Sequence, residues 1–323
     1  MRRRTAIAMA CALCALPLAG TAQPAYPSKP IKFIVPYAAG GLPDTVARVV
    51  SRHLGERLGQ PVVVDNRPGG GGVVAYQALL QSNPGDGHAF IVSDGSMLSI
   101  TPQINKAASY RVGKDILPVS LIARSELFLV SHPKIKVSNF QEFLTLVRSK
   151  PGEFTYGSSG MGSTHHLTME ALKSALNLDI RHIPYKGSGQ STPALVGGQV
   201  DFSVAALPSI GGFVQNGQAK LLATNALTRS RQAPEVAAIA ETLPGFDFSV
   251  LVGCMAAAGT PPAAIDRISR EIAEVVKMPE VIKTFHAAAI EAVGSTPAEF
   301  GKAIERENDA MGKAGRAANL KAE

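Results

Sequence analysis

The sequence predicts an α/β protein folded as two lobes, and three observations carry that expectation. Short β-type runs alternate with helical periods from Ile31 onward, an order that sets strands in a sheet with helices on its faces. Roughly 300 residues remain once an N-terminal leader is set aside, more than a single core of ordinary size requires. No repeat of fixed period and no low-complexity tether divides the chain, so strands rather than a linker are expected to join the lobes.

Residues 31–35 form the first strand-like run, and within 45–58 Val46, Val49, Val50 and Leu54 recur along one helical face. Residues 62–64 read as the next strand, 73–80 as the next helix and 90–92 as a further strand. This βαβα order implies a largely parallel sheet. A second set opens at 127–130, with strand candidates at 154–156, 200–204 and 221–224 and a helix over 164–176. The apolar run 251–258 leads into Thr260, Pro261 and Pro262. There a Thr cap followed by Pro at the first helical position starts a helix carrying Ile265, Ile268, Ile272 and Val276. Thr296, Pro297 and Glu299 repeat the signal as a capping box, so the C-terminal third is expected to be mostly helical.

At the N-terminus Arg2, Arg3 and Arg4 precede an apolar run over 6–19 and then small residues. This is the pattern of a secretory signal peptide, 1–22, with cleavage expected after Ala22 and export of the remaining chain. Its apolar core is shorter than the ~20 residues of a membrane span, and Pro17 interrupts it. Cys11 and Cys14 sit in a poor lipidation signal. Removing the leader leaves Cys254 alone, so no intramolecular disulfide is expected and stability must come from packing. The formal charge of +7 includes the three leader arginines, which leaves about +4 on the exported chain, a mild field that suits anionic solutes. Dispersed basic residues, few aromatics and no recognition motif argue against a nucleic-acid partner.

Glycine-rich turns follow three strand candidates, outside the carboxyl ends of strands, where open α/β sheets bind ligands. In residues 36–44 glycines permit close approach, and unpaired amides at a helix start can hold a carboxylate without a side-chain cation. Tyr37 is the candidate pocket wall there, with Ala39, Gly40 and Gly41 beside it. Asp44 brings negative charge to the same end and reads either as a helix N-cap or as a group that meets the ligand through water. In residues 157–166, Ser158, Ser159, Gly162, Ser163 and Thr164 offer hydroxyls and amides just before a helix, where they serve a carboxylate or act as ordinary caps.

Pairing Ser158 or Ser159 with His165 or His166 finds no G-x-S-x-G elbow. Adjacent histidines diverge on a helix, and no second set of ligands stands nearby at metal spacing. No catalytic residue, metal or cofactor is therefore assigned, and His166 is expected to pack. The third turn, Arg67-Pro68-Gly69-Gly70-Gly71-Gly72, lacks the Lys-Ser/Thr ending of a P-loop and the spaced glycines of a dinucleotide fingerprint. It reads as scaffolding beside the site. In residues 184–189, Lys186 offers a cation, although a Lys in a turn is usually solvated, and the backbone around Gly187 offers contacts of its own.

In order along the chain stand Val35-Pro36-Tyr37-Ala38-Ala39-Gly40-Gly41 with Asp44 and Arg48, Asn66-Arg67-Pro68-Gly69, and Pro84-Gly85-Asp86-Gly87. Tyr156-Gly157-Ser158-Ser159-Gly160 with Gly162-Ser163 and His166-Leu167 follows, then Pro184-Tyr185-Lys186-Gly187, Gly197-Gly198-Gln199-Val200-Asp201 and Ala258-Gly259-Thr260-Pro261. This series resembles the substrate-binding receptors of tripartite tricarboxylate transporters, the TctC or Bug family, over essentially the whole exported chain.

The resemblance implies a type II periplasmic binding protein fold: two α/β lobes joined by hinge strands, 26–124 with 251–323 as one lobe and 125–250 as the other. It implies that the loops over 37–44 and 158–164 hold a carboxylate, partly through ordered water, and that small and large permease subunits receive the loaded receptor. Two positions depart from the family pattern. Ala205 stands where many members carry an acid, and Leu251 where many carry Trp. Without that acid a ligand amine or hydroxyl loses a partner, so a plain carboxylate is expected over an amino acid, and Ala205 is counted with the site. The expected function is a monomeric extracytoplasmic receptor that captures a small carboxylate-bearing solute for a membrane transporter, and not an enzyme. A secreted serine hydrolase and a ligand sensor for a membrane kinase are the alternatives.

Overall fold

A computed structural model describes residues 26–317, so the expected leader, with Cys11, Cys14 and the cleavage point, lies outside the described residues. β1 (Ile31–Val35) and β3 (Ala89–Asp94) bury almost every residue, as strands covered on both faces must. β1 pairs in parallel with β3 on one side and with β2 (Val62–Asn66) on the other. α1 (Leu42–Leu58) follows β1, buries Val46, Val50 and Leu54, and stops where Gly59 takes the left-handed φ of 67° that only glycine adopts freely. α2 (Val73–Gln81) follows β2.

After β3 a turn of π helix (Ser96–Ile100) and the short α3 (Thr101–Ile104) lead to β4 (Ile116–Ser125). The periodicity did not reveal β4, because Pro118 and Ser120 break its apolar run. The strand accommodates Pro118 opposite Met255, beside an irregularity in the pairing.

The chain then passes through Glu126 and Leu127 into a second sheet. Its elements are β5 (Phe128–Ser131), α4 (Phe140–Ser149), β6 (Thr155–Ser158), α5 (Thr164–Leu176), β7 (Arg181–Pro184), α6 (Ser188–Val196), β8 (Phe202–Ala205), α7 (Leu207–Gln215) and β9 (Lys220–Thr224). It returns as β10 (Val250–Ala257) and ends with α8 (Pro262–Val275), α9 (Pro279–Ala287), β11 (Ile290–Ala292) and α10 (Pro297–Ala317). The strand orders are β11-β4-β10-β3-β1-β2 and β7-β6-β8-β5-β9.

The expectation of a largely parallel sheet needs correction. β10 runs antiparallel to β3 and β4, β11 to β4, and β5 to β8 and β9, leaving β1–β3 and β6–β8 as the parallel parts. β4 carries the chain out toward the second sheet and β10 brings it back alongside, so these neighbours must oppose one another. α8 also starts one residue later than its Thr-Pro signal suggested: Pro261 is the N-cap, Pro262 occupies the first turn, and the Thr260 hydroxyl is buried without a partner among the described residues. The second capping box is present, with the Thr296 amide donating to Glu299 Oε2 at 2.9 Å and the Glu299 amide donating to Thr296 Oγ1 at 3.3 Å.

A single apolar cluster spans the crossing, from Phe33, Val46 and Phe90 through Leu127 and Val250 to Phe143 and Phe202. Fully buried Asn225 fastens the two crossing segments. Its Oδ1 accepts from the Leu127 amide at 2.7 Å and its Nδ2 donates to the Phe248 carbonyl at 2.7 Å. Cys254 is a buried free thiol. Among the described residues no helix is long and apolar enough to cross a membrane.

Candidate ligand-binding site

A cavity of about 530 Å³ opens between the two sheets. Its walls include Pro36 and Tyr37 after β1, Gly69, Gly70 and Gly71 after β2, and Ser96 after β3. Facing these are Ser159, Gly160, Met161 and Ser163 after β6, and Pro184, Tyr185 and Lys186 at and after the end of β7. The walls thus gather at the carboxyl ends of parallel strands, where an α/β sheet presents free backbone. Thr101, Asn105 and Gln190 add further donors, and among the described residues Lys186 is the lining cation and no Asp or Glu lines the space.

One buried frame shapes this wall. The Tyr37 hydroxyl donates to Asp94 Oδ1 at 2.5 Å, and the Ser96 amide donates to the same oxygen at 3.0 Å. Burial raises the Asp94 carboxyl above its ordinary value despite these bonds, and it raises the Tyr37 phenol well above its own, so Tyr37 remains a donor at neutral pH. Ser96 then reaches across to the second sheet. Its hydroxyl accepts from the Thr164 amide at 2.8 Å and lies 3.0 Å from the Thr164 hydroxyl.

Of the residues expected at the site, Tyr37, Ser159, Ser163 and Lys186 face the cavity. Ala39, Gly40 and Gly41 belong to a loop packed against the turn at Gly187. The Ala38 amide donates to the Lys186 carbonyl at 3.2 Å, and a Cβ on Gly187 would sit 3.0 Å from that same amide. Asp44 lies in the first turn of α1, whose N-cap is Gly41, so it is not the cap. It reaches back instead: Oδ2 accepts from the Gly40 amide and Arg48 Nε, each at 2.9 Å, and Oδ1 from Asn66 Nδ2 at 2.9 Å. Burial works to raise this carboxyl, but the three bonds outweigh it and hold Asp44 below the ordinary carboxylate range.

Ser158 is fully buried, its Oγ 2.6 Å from His182 Nε2. The Gly162 amide donates to His166 Nδ1 at 3.0 Å, so that amide, like the Thr164 amide, is already engaged. Ala205 ends β8 in an apolar cluster with Phe128 and Leu195, and Leu251 packs with Ile91, Leu98 and Met255. Neither lines the cavity.

The glycine run after Arg67, expected as scaffolding beside the site, is part of its wall. Gly69, Gly70, Gly71 and Gly72 all take positive φ, from 58° to 130°, a conformation that favours glycine. Thr101 Oγ1 donates to the Gly71 carbonyl at 2.9 Å and Asn105 Nδ2 to the Gly70 carbonyl at 3.1 Å, which orients the loop. Asp94 and Ser96 were not anticipated. Their signal was nonetheless present, since Ser93-Asp94-Gly95-Ser96 is one more Gly/Ser turn after a strand candidate.

Among the described residues two serine hydroxyls meet histidine rings, Ser158 with His182 and, at the cavity wall, Ser159 Oγ with His165 Nδ1 at 2.7 Å. His166 stacks on His182 with ring centroids 4.0 Å apart. Burial lowers His165 and His166 to about 4 and His182 to about 3, which keeps all three neutral. No carboxylate hydrogen-bonds to these rings among the described residues, so the third member of a hydrolytic triad is missing. Nor does any group of three or more His, Cys, Asp or Glu there offer a metal site.

The family model for the tripartite tricarboxylate transporter family receptor matches residues 46–320. Protein BugT of Bordetella pertussis is 35% identical over 285 residues, spanning 86% of this chain and 87% of BugT. The solved structure of R. palustris Rpa4515 with adipate has a TM-score of 0.89 at 26% identity, covering 92% of this chain and 100% of that one. The periplasmic binding protein BugD shares the fold, with a TM-score of 0.87 at 23% identity over 92% of this chain and 100% of its own. The family model spans most of the chain and BugT is alike over more than four fifths of both chains, and on that extent the chain belongs to the tripartite tricarboxylate transporter receptor family, solute-binding receptors with the periplasmic binding protein fold of two α/β lobes.

Proposed function

We propose that this protein is a monomeric periplasmic receptor that closes two lobes, 26–124 with 251–323 and 125–250, around a small solute bearing a plain carboxylate. It then delivers the solute to the permease subunits of a tripartite tricarboxylate-type transporter. The observation that carries this reading is the chemistry of the cavity wall: hydroxyls, amides and Lys186, contributed by loops of both sheets, with no acidic side chain among the described residues. A carboxylate meets donors there, whereas a ligand ammonium would be desolvated without an anionic partner. Tyr37, Ser159, Ser163 and Lys186 are the direct contacts. Ala39, Gly40, Gly41 and Gly187 form the seam where the lobes meet, while Asp44, Ser158, Gly162, Thr164 and Ala205 hold the loops from behind.

A ligand that touches both walls binds the closed state better than the open one, and that difference drives closure. The signal-peptide pattern of the first 22 residues supports periplasmic residence. The permease partner rests on family membership. Adipate, the solute solved with Rpa4515, is the first candidate.

Native mass spectrometry of protein purified without added ligand tests the reading, followed by calorimetric titration with adipate, malate, aspartate and glutamate. A retained small acid and a preference for unsubstituted acids are expected. A clear preference for an amino acid overturns the plain-carboxylate assignment. One observation favours a second reading, hydrolysis: the Ser159–His165 contact lies at the cavity. Ser159→Ala assayed on ester and amide panels separates the two, since serine-dependent turnover by the parent protein would replace the receptor reading.

A further inference from the structure

Behind the cavity wall a second buried carboxyl stands beside Asp94. Glu307 extends from α10 against Gly95 so closely that any side chain at that position would overlap the carboxylate. It is 8% exposed, Ser99 Oγ donates to its Oε2 at 3.2 Å, and among the described residues its buried Oε1 has no hydrogen-bond partner. An ionised carboxylate in such a place is left with a desolvated, unsatisfied oxygen, whereas a protonated one carries no charge to desolvate.

The charged and titratable groups on the elements around it favour the same form. Asp94 at the end of β3 adds like charge, and Arg124 on β4 partly opposes it. On α5, which packs along α10, Glu170 and Lys173 pair with each other at 2.6 Å, and His165 and His166 are neutral. Burial first and Asp94 second push Glu307 up to about 8, against the lowering effects of Ser99 and Arg124.

Resting on the carboxylate-capture reading, we propose that Glu307 is a positioning residue whose retained proton keeps the Tyr37–Asp94–Ser96 frame latched to Thr164 and ready for an anionic ligand. Gly95 links Asp94 to Ser96, and the Glu307 carboxyl rests on it. Charge on Glu307 repels Asp94 and displaces the peptide that carries Ser96, which undoes the bond to the Thr164 amide. It also places another negative charge behind a cavity built for an anion. Capture and proton retention are therefore linked: an acid in the cavity favours the protonated form, and loss of the proton weakens acid binding by the same factor. Because the folded value lies above the ordinary one, the latch is intact below about pH 8 and is lost as pH rises through that value.

Carbon-13 NMR of glutamate-labelled protein, with the Glu307 carboxyl identified by its absence in Glu307→Gln, measures the proton directly. A midpoint near 8 is expected, and one in the ordinary carboxylate range overturns the proposal. The Thr164 amide resonance should follow the same midpoint in the parent protein and show no such transition in Glu307→Gln. A transition present in both, or absent from the parent, overturns the latch. In calorimetry with adipate, the parent should lose about tenfold in affinity between about pH 6.5 and 9.5 and Glu307→Gln less than about twofold, within the ordinary range of coupling between sites. Equal losses count against the proposal. If neither adipate nor the other acids bind, the capture reading fails, while the two NMR measurements, made without ligand, still decide the role of Glu307. Should Glu307→Gln not fold, the parent titration and the parent Thr164 resonance decide it.

Discussion

Ser96 caps the first turn of α5 from the opposite sheet: its hydroxyl accepts from the Thr164 amide at 2.8 Å, while Ser163, the local N-cap, accepts from the His166 amide at 3.2 Å. A helix start carries several amides without intrahelical partners, and here one of them is satisfied by a loop more than sixty residues earlier in the chain. The contact exists only while the two sheets face each other closely, so in the closure proposed above it favours the closed arrangement.

Ser96→Ala should therefore weaken ligand binding more than folding. Losing a cap costs about 0.5–2 kcal/mol, which corresponds to roughly a 2–30-fold rise in Kd. Calorimetry with the natural solute measures it, and small-angle scattering should report a more extended ligand-free protein. Unchanged affinity would show that the bond plays no part in closure.

At the crossing between sheets, Asn225→Ala strips partners from the Leu127 amide and the Phe248 carbonyl. Each buried group left unsatisfied costs about 1–3 kcal/mol. Urea unfolding should show a large drop in midpoint for this single polar substitution. A drop no greater than that of an exposed Asn→Ala control contradicts the assignment.

Gly187→Ala attacks the seam. The residue sits at φ 125°, and its new Cβ would lie 3.0 Å from the Ala38 amide on the facing loop. In the proposed closed arrangement strain of this kind costs about 1–3 kcal/mol, so Kd should rise roughly 5–150-fold. The circular dichroism spectrum should be retained. Wild-type affinity in this variant would mean that the loops do not meet in the bound state.

Acid should destabilise the protein before its carboxylates titrate. Burial holds His165 and His166 at about 4 and His182 at about 3, while in the unfolded chain they take protons near the ordinary value of 6.5. Between these limits the unfolded state binds more protons, so stability rises with pH in this window and is lost as pH falls from about 6.5 toward 4. Urea midpoints across this range should show the slope, and His165→Gln should reduce it. A midpoint that does not change from about pH 7 to 4.5 would contradict the neutral, buried rings.

Much of the site was legible because it is local. Tyr37, Ser159 and Ser163 lie in Gly/Ser turns that follow strand candidates, so the position of loops at strand ends pointed to this wall, whereas β7 before Lys186 was not a strand candidate and Lys186 stood out only as a cation in a turn. Asp94 escaped because the strand was ended at Val92, although its last buried residue is Asp94 itself. The glycine run was placed beside the cavity rather than in its wall, since its conformation is fixed by Thr101 and Asn105, about thirty residues further on.

The sequence by itself determined the α/β alternation, α5 over Thr164–Leu176, the capping box of Thr296 and Glu299, and the family, because short-range periodicity, capping chemistry and motif order are written in neighbouring residues. Only the tertiary structure decided that β10 returns antiparallel between β3 and β4, that Asp44 braces Gly40 and Asn66 instead of capping α1, that Ser96 meets Thr164, and that Glu307 stands against Gly95. Each of these depends on how closely packing brings elements together, and in most of them the partners lie far apart in sequence. Burial, hydrogen-bond satisfaction and proton affinity follow from that approach, which no local pattern encodes.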